Sequence, residues 1–241
     1  TEKWKYGLFL NASKNQSSFN YDDGTGEVKF TVVNHDLSLY HYLVGSINQH
    51  WSWAYDARIS QSTFSNYKLR TELSAGVEYN IFPYKQVNNK LFTISYSLTA
   101  KDQRYYDSTI YNKLQERVFT QTLRANMTMN QKWGNLSIGL YGEHFLKDWS
   151  FFNLGVNAYT NIRITGGLSF FVAAFGGVTR DQVFLPKGSA SPQEVLARQR
   201  QLASGYSYYT SFGINYRFGS KLNNFVNPRF EGDNRNMNVS F

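Results

Sequence analysis

A chain of 241 residues has room for one large all-β domain or two small ones. It contains no cysteine, which excludes disulfides and thiolate metal sites, and its Lys and Arg (formal net charge +8) are scattered rather than clustered, which argues against nucleic acid as a partner. With 18 Tyr, 19 Phe and 5 Trp but a mean hydropathy of only −0.47, it is aromatic without being uniformly apolar, and its longest apolar run, 169–178, is too short for a membrane helix.

Side chains of a β-strand alternate between two faces, so a period of two marks a strand with one apolar and one polar side. The pattern begins at once: Trp4, Tyr6, Leu8 and Leu10 share a parity. In 27–47 the parity switches, from Phe30 and Val32 to Leu37, Leu39 and Leu43. One strand with a bulge near 34–36 accounts for this; a turn there would make eleven strands and demand a twelfth. Trp51, Trp53, Tyr55, Ala57 and Ile59 then oppose Ser52, Asp56 and Arg58. Leu69 to Ile81 sets odd apolar positions against Arg70, Glu72, Ser74 and Glu78, and Phe92, Ile94, Tyr96 and Leu98 face away from Thr93, Ser95, Ser97 and Thr99. The same alternation runs through 119–129, 136–143 and 152–163; 168–178 is apolar on both faces; 207–218 places Tyr208, Phe212, Ile214, Tyr216 and Phe218 on one side.

Connections near 48–50, 82–89, 130–134 and 164–167 are short, whereas 15–26, 63–66, 102–113, 147–150 and 181–204 lie at the other end and three of them are long. Strands near ten residues, dyad alternation and long loops at one end predict a transmembrane antiparallel up-and-down β-barrel of about ten strands, with twelve as the alternative. Residues 1–218 form the barrel and 219–241, rich in Asn and Gly, a C-terminal periplasmic tail. Ser191, Pro192 and Glu194 have the spacing of a helix start, which places a short helix in the last outer loop. The competing reading is a soluble sandwich or lipocalin-like barrel with the apolar face inward. The strand-like start "TEKWKYGLF" implies a removed leader or the C-terminal part of a longer protein.

Two sets of residues follow from this fold. Trp4, Tyr6, Trp51, Trp53, Tyr55, Phe212, Tyr216 and Phe218 are the lipid-facing and interface aromatics. Asp56, Arg58, Arg70, Glu72, Glu78, Lys101, Arg124, Glu143, Arg163 and Arg217 point into the lumen, where mixed signs allow a packed polar network. A narrow, anion-favouring pore is the alternative. The four histidines, His35, His41, His50 and His144, have no metal-ligand spacing, so neither a metal nor another cofactor is implied. His35 and His144 near the outer rim are the candidates for a hydrolase acting on lipid or peptide, but no nucleophile motif accompanies them. Asp22, Asp23, Asp102, Asp107 and Asp181 fall in outer loops as solvated or lipopolysaccharide-bridging groups.

The stretch "FGINYRF", ending at Phe218, is similar to the terminal-strand signal by which the barrel-assembly machinery recognises outer-membrane proteins, although here a tail follows it. Further, "HWSWAYDARISQSTFSNYKLR", "GVEYNIFPY", "YYDSTIYNKLQERV" and "INYRFGSKLNNFVNPRF" resemble a Bacteroidetes-type family of uncharacterised outer-membrane barrels, loosely like the salt-induced outer-membrane-protein family. That resemblance covers most of 27–230 and implies a location, the bacterial outer membrane, and a fold, but no reaction. The functional expectation is a non-enzymatic scaffold or accessory subunit of a cell-envelope complex. Its partners would be outer-membrane lipid and other envelope proteins, engaged in part through Phe225, Asn227, Pro228, Arg229 and Phe230 of the tail.

Overall fold

The alternating segments form β-strands in the computed structural model, which describes residues 3–22, 26–188 and 205–218. The strands are β1 Trp4–Asp22, β2 Glu27–Ser46, β3 Trp51–Ser62, β4 Tyr67–Asn80, β5 Lys90–Tyr105, β6 Gln115–Gln131, β7 Gly134–Phe145, β8 Phe152–Arg163, β9 Leu168–Thr179 and β10 Tyr206–Tyr216. All ten lie in one antiparallel sheet whose spatial order is the chain order. Among the described residues no ladder joins β1 to β10, so the sheet is not closed. Short turns, one of them holding a single 3₁₀ turn at Tyr84–Gln86, connect the strands at one end; 63–66, 106–114, 146–151 and 180–205 connect them at the other. The predicted helix and the tail, including Phe225, Asn227, Pro228, Arg229 and Phe230, lie outside the described residues.

Directly opposed residues of an antiparallel pair share a face, and the registers therefore assign every strand. One row runs Trp53, Val77, Tyr96, Leu123, Gly142, Leu154, Val178, Tyr206; the adjacent row runs Ser52, Glu78, Ser95, Arg124, Tyr141, Gly155, Gly177, Ser207. The burial of these two faces is the reverse of that in a water-soluble sheet. On the apolar face Leu8 is 67% exposed, Leu73 59%, Leu123 56% and Ile214 68%. On the polar face Lys101 is 8% exposed, Thr122 3% and Asn80 0%. The sheet curls toward its polar side. Tyr40 on β2 and Asp56 on β3 both interact electrostatically with Arg124 on β6, whereas four strand spacings in a flat sheet would separate β2 from β6 by about 19 Å.

Three sequence expectations are corrected. The β1–β2 register is continuous from Trp4 opposite Gly45 to Asp22 opposite Glu27, so there is no bulge near 34–36. The segment 15–26 is mostly strand rather than loop. The parity switch has another cause. β3 ends its pairing with β2 at Asp36, and beyond that point β1 and β2 continue as a two-stranded hairpin. There the apolar residues take the other face: Val32 is 5% exposed while Val33 is 37% exposed. Likewise β5 extends to Tyr105, so the loop expected at 102–113 shrinks to 106–114.

Among the described residues the one irregularity in the ladders sits on β4, where Tyr67 to Arg70 spans only Ser60 to Ser62 on β3, and Tyr67 to Leu69 spans one step on β5. The extra residue brings Tyr67 and Arg70 to the same polar face, and the Arg70 guanidinium lies 4.9 Å from the Tyr67 ring centroid.

Bulky rings on the polar face are seated over glycines. A Cβ added at Gly155 would come 2.1 Å from Cε1 of Tyr141, whose hydroxyl donates to Asn153 Oδ1 at 3.1 Å. Gly155→Ala is therefore expected to displace the ring and cost about 1–3 kcal/mol, read as a lower urea midpoint of the micelle-folded protein; an unchanged midpoint would show that the ring has room to move.

Candidate functional site

The polar face carries all ten charged residues assigned to it from the sequence pattern: Asp56, Arg58, Arg70, Glu72, Glu78, Lys101, Arg124, Glu143 and Arg163 by register, and Arg217 one alternation beyond Asn215. They divide into groups along the strand axis. Toward the long-loop end, Arg70 Nη2 donates to Glu72 Oε1 at 2.6 Å, Lys101 Nζ lies 4.0 Å from the same carboxylate, and Lys101 also pairs with Glu143. Thr122 Oγ1 donates to the second Glu143 oxygen at 3.3 Å. Sequence reasoning missed the extension of this chain. The Tyr105 hydroxyl lies 2.7 Å from Gln103 Oε1 and 2.6 Å from Glu116 Oε1, and Lys113 closes on the other Glu116 oxygen at 2.6 Å. Strand length hid it, because Gln103, Tyr105 and Lys113 fall in 102–113, which had been assigned to a loop.

In the middle of the sheet Arg58 covers the Tyr40 ring at 4.9 Å, and Asp56 is held by Ser74 within reach of Arg58, Glu72 and Arg124. Nearer the short turns Glu78 accepts from Tyr84, whose hydroxyl also meets Ser52 at 3.0 Å. Arg163 and Arg217 stand apart: they line an open cavity of about 710 Å³ at the short-turn end and make no ion pair among the described residues.

The long-loop end is covered from within the chain. Asn66 adopts a positive φ of 60° and is 3% exposed. Its Nδ2 donates to the carbonyls of Asp107 and Phe184, each at 3.0 Å, and its Oδ1 accepts from Asp107 N at 2.8 Å. One short asparagine thus ties three loops together. Thr109 bridges to Pro186, Ile110 N donates to Leu185 O at 2.9 Å, and Lys187 N donates to Ser108 O at 2.8 Å. Beneath them Val183 packs with Val118 and Phe145, and Phe184 lies 5.1 Å from the Tyr67 ring. Residues 180–188 therefore form a lid over the charged chain. Asp181, in this lid, is half-buried near Glu143, and burial first, then the Glu143 charge, raises its carboxyl above the ordinary aspartate range.

The aromatics lie on the opposite face. Trp4, Tyr6, Trp51, Trp53, Tyr55, Phe212 and Tyr216 share the apolar side by register, and Phe218, just past β10, is 83% exposed. Trp4 and Trp53 meet edge to face at 5.7 Å. The histidines do not converge. His41 stacks on Tyr55, His50 Nδ1 meets the Asn80 carbonyl, and His144 packs against Trp149 and Gln121 on the face away from Glu143. His35 contributes its backbone N–H to Thr63. Among the described residues no group of three or more acids and histidines is placed to hold a metal. Comparison with protein-family models and with curated proteins returns no match.

Two outcomes follow. Lys101→Met leaves Glu72 and Glu143 without their shared cation and is expected to cost about 3–5 kcal/mol, whereas Lys101→Met with Glu143→Gln costs clearly less; urea unfolding of the single and double variants measures the difference. The second concerns pH. The docked lid favours protonated Asp181, so docking strengthens as pH falls through its raised pKa. It weakens as pH rises, over a window that starts near the ordinary value of about 3.9 and extends upward. Limited proteolysis of the β9–β10 connection should speed up across that window in the parent and stay flat in Asp181→Asn.

Proposed function

We propose that the ten strands close into a transmembrane barrel of the bacterial outer membrane, polar face inward, that serves as a scaffold or accessory subunit of an envelope complex. The observation that carries this reading is the reversed burial, with leucines and isoleucines outward and paired charges inward. Hydrocarbon is the solvent that such an outer face fits, and a spanning sheet must close because lipid cannot satisfy a free edge. The outer face of β4 from Leu69 to Tyr79 is about 33 Å of strand, which a tilt of about 40° projects onto the roughly 25 Å apolar band of such barrels. Trp4, Trp51, Trp53, Tyr79 and Tyr216 crowd the short-turn rim, and Phe119, Tyr206 and Tyr208 the other, as interface anchors do. The resemblance of the quoted motifs to Bacteroidetes-type barrels supports the same location. The lid favours a scaffold over a conducting pore.

Closure also has a preferred register. A hydrogen-bonded row that leaves β1 at Lys5 runs through Gly76 and Glu143 to Thr179 on β9, at the far end of the sheet. Setting Asn11 opposite Ser211 returns that row to Ser17, a stagger of about twelve residues, which for ten strands gives a tilt near 40°, inside the usual 35–45°. It matches faces as well: Leu8 meets Ile214, Leu10 meets Phe212, and Phe9 lies over Gly213.

In this cysteine-free chain Asn11→Cys with Ser211→Cys is expected to form an intramolecular disulfide in the membrane-embedded protein, seen as a mobility shift reversed by reductant. Failure to cross-link, with Asn11→Cys/Ser207→Cys as the off-register control, would contradict closure. In planar bilayers the parent protein should stay at the conductance baseline, and steady ion-conducting steps would favour the pore.

A further inference from the structure

We propose that the short-turn mouth is a binding site for a small oxyanion, a solute bearing phosphate or carboxylate groups; this rests on the barrel reading above. The inner face is not uniformly neutralised. Arg70 on β4, Lys101 on β5 and Lys113 in the loop after β5 each have a carboxylate partner, and Arg124 on β6 interacts electrostatically with Asp56. On β8, β9, the β10 end and β1 from Lys5 to Asn15, the same face carries Arg163, Arg217 and Lys5 and no Asp or Glu. The acid at this end, Glu78, is across the sheet on β4 and engaged by Tyr84.

The cations are gathered by the fold. Arg163, Ser169 and Asn215 form one row across β8, β9 and β10. Arg217 N donates to Gly167 O at 2.7 Å, and a Cβ on Gly167 would sit 2.2 Å from the Arg217 carbonyl oxygen. Only glycine lets the 164–167 turn press against β10 and bring both guanidinium groups to one mouth. The resulting cavity, about 710 Å³, is lined in part by Asn161, Arg163, Thr165, Ser169, Asn215 and Arg217, which supply donors, beside Leu168, Tyr216 and Phe218. In the closed register Lys5 comes opposite Arg217, and like charges directly opposed are unfavourable unless an anion lies between them. Guanidinium groups present paired donors that match phosphate and carboxylate oxygens. A cavity of this size suits a metabolite-sized ligand. With the lid over the other end, the solute enters and leaves by the same mouth.

The test is calorimetric titration of the full chain in detergent micelles with inorganic pyrophosphate in one arm and citrate in the other, which separates a phosphate from a carboxylate preference. Saturable binding of either probe is expected, weakened by about tenfold or more in Arg163→Gln/Arg217→Gln and largely kept in Arg163→Lys/Arg217→Lys. Each titrated protein also carries the Asn11→Cys/Ser211→Cys pair. Cross-linked protein that binds neither probe, or a Gln variant that binds as the parent does, overturns the site and leaves the barrel standing. A parent that does not cross-link overturns the barrel, and the site with it.

Discussion

Strands with charges on one face and bare hydrocarbon on the other place a constraint on everything else in this molecule. Water can cover the charges but not the leucines, and an apolar core can take the leucines but not the charges. The strands meet both demands by curling together so that the charged faces serve as one another's solvent. The Arg70, Glu72, Lys101 and Glu143 chain is the clearest case, with four charges from three strands linked in sequence. Breaking one partner is costly because the others remain buried. On the proposed reading the outer face meets lipid, and the aromatic rims mark where the lipid would end.

The two ends of the polar face meet the constraint differently. At the long-loop end the charges are paired, and a lid held by the Asn66 side chain seals the pairs from solvent. That arrangement depends on bringing 63–66, 106–114 and 180–188 together, which the curl of the sheet makes cheap and a flat sheet would forbid. At the short-turn end Arg163 and Arg217 make no ion pair among the described residues and the surface is open. A molecule that is locked at one end and electrostatically unsatisfied at the other has a direction built into it. On the proposed reading it would meet its ligand from the short-turn side.

Much of this was legible in the sequence because a period of two is a local property. Strand count, chain-order topology and the facing of residues such as Glu72, Arg124 and Trp53 need only the alternation. What was misread needed information from a neighbour. The parity switch between Val32 and Leu37 looks like a bulge in isolation; it marks where β3 stops and the hairpin runs on alone. The real bulge at Tyr67–Leu69 left no mark, since Tyr67 and Arg70 fit either face until the Ser62 pairing is known. The lid was invisible for the same reason: Asn66 in a turn is ordinary, and its bond to Phe184 joins positions far apart in the chain. The unmatched Arg163 and Arg217 were counted among balancing charges, because a list of signs does not say which end each one occupies.

The central claim is that the apolar face meets lipid and the polar face does not. Single cysteines along β10, each carrying a nitroxide label in the liposome-inserted protein, would test it most directly through collision with oxygen, which partitions into lipid, and with a nickel chelate, which stays in water. The account predicts high oxygen accessibility at Tyr208, Thr210, Phe212, Ile214 and Tyr216 and low at Ser207, Tyr209, Ser211, Gly213 and Asn215, alternating with period two. Nickel accessibility high at the apolar positions, or no alternation at all, would contradict it.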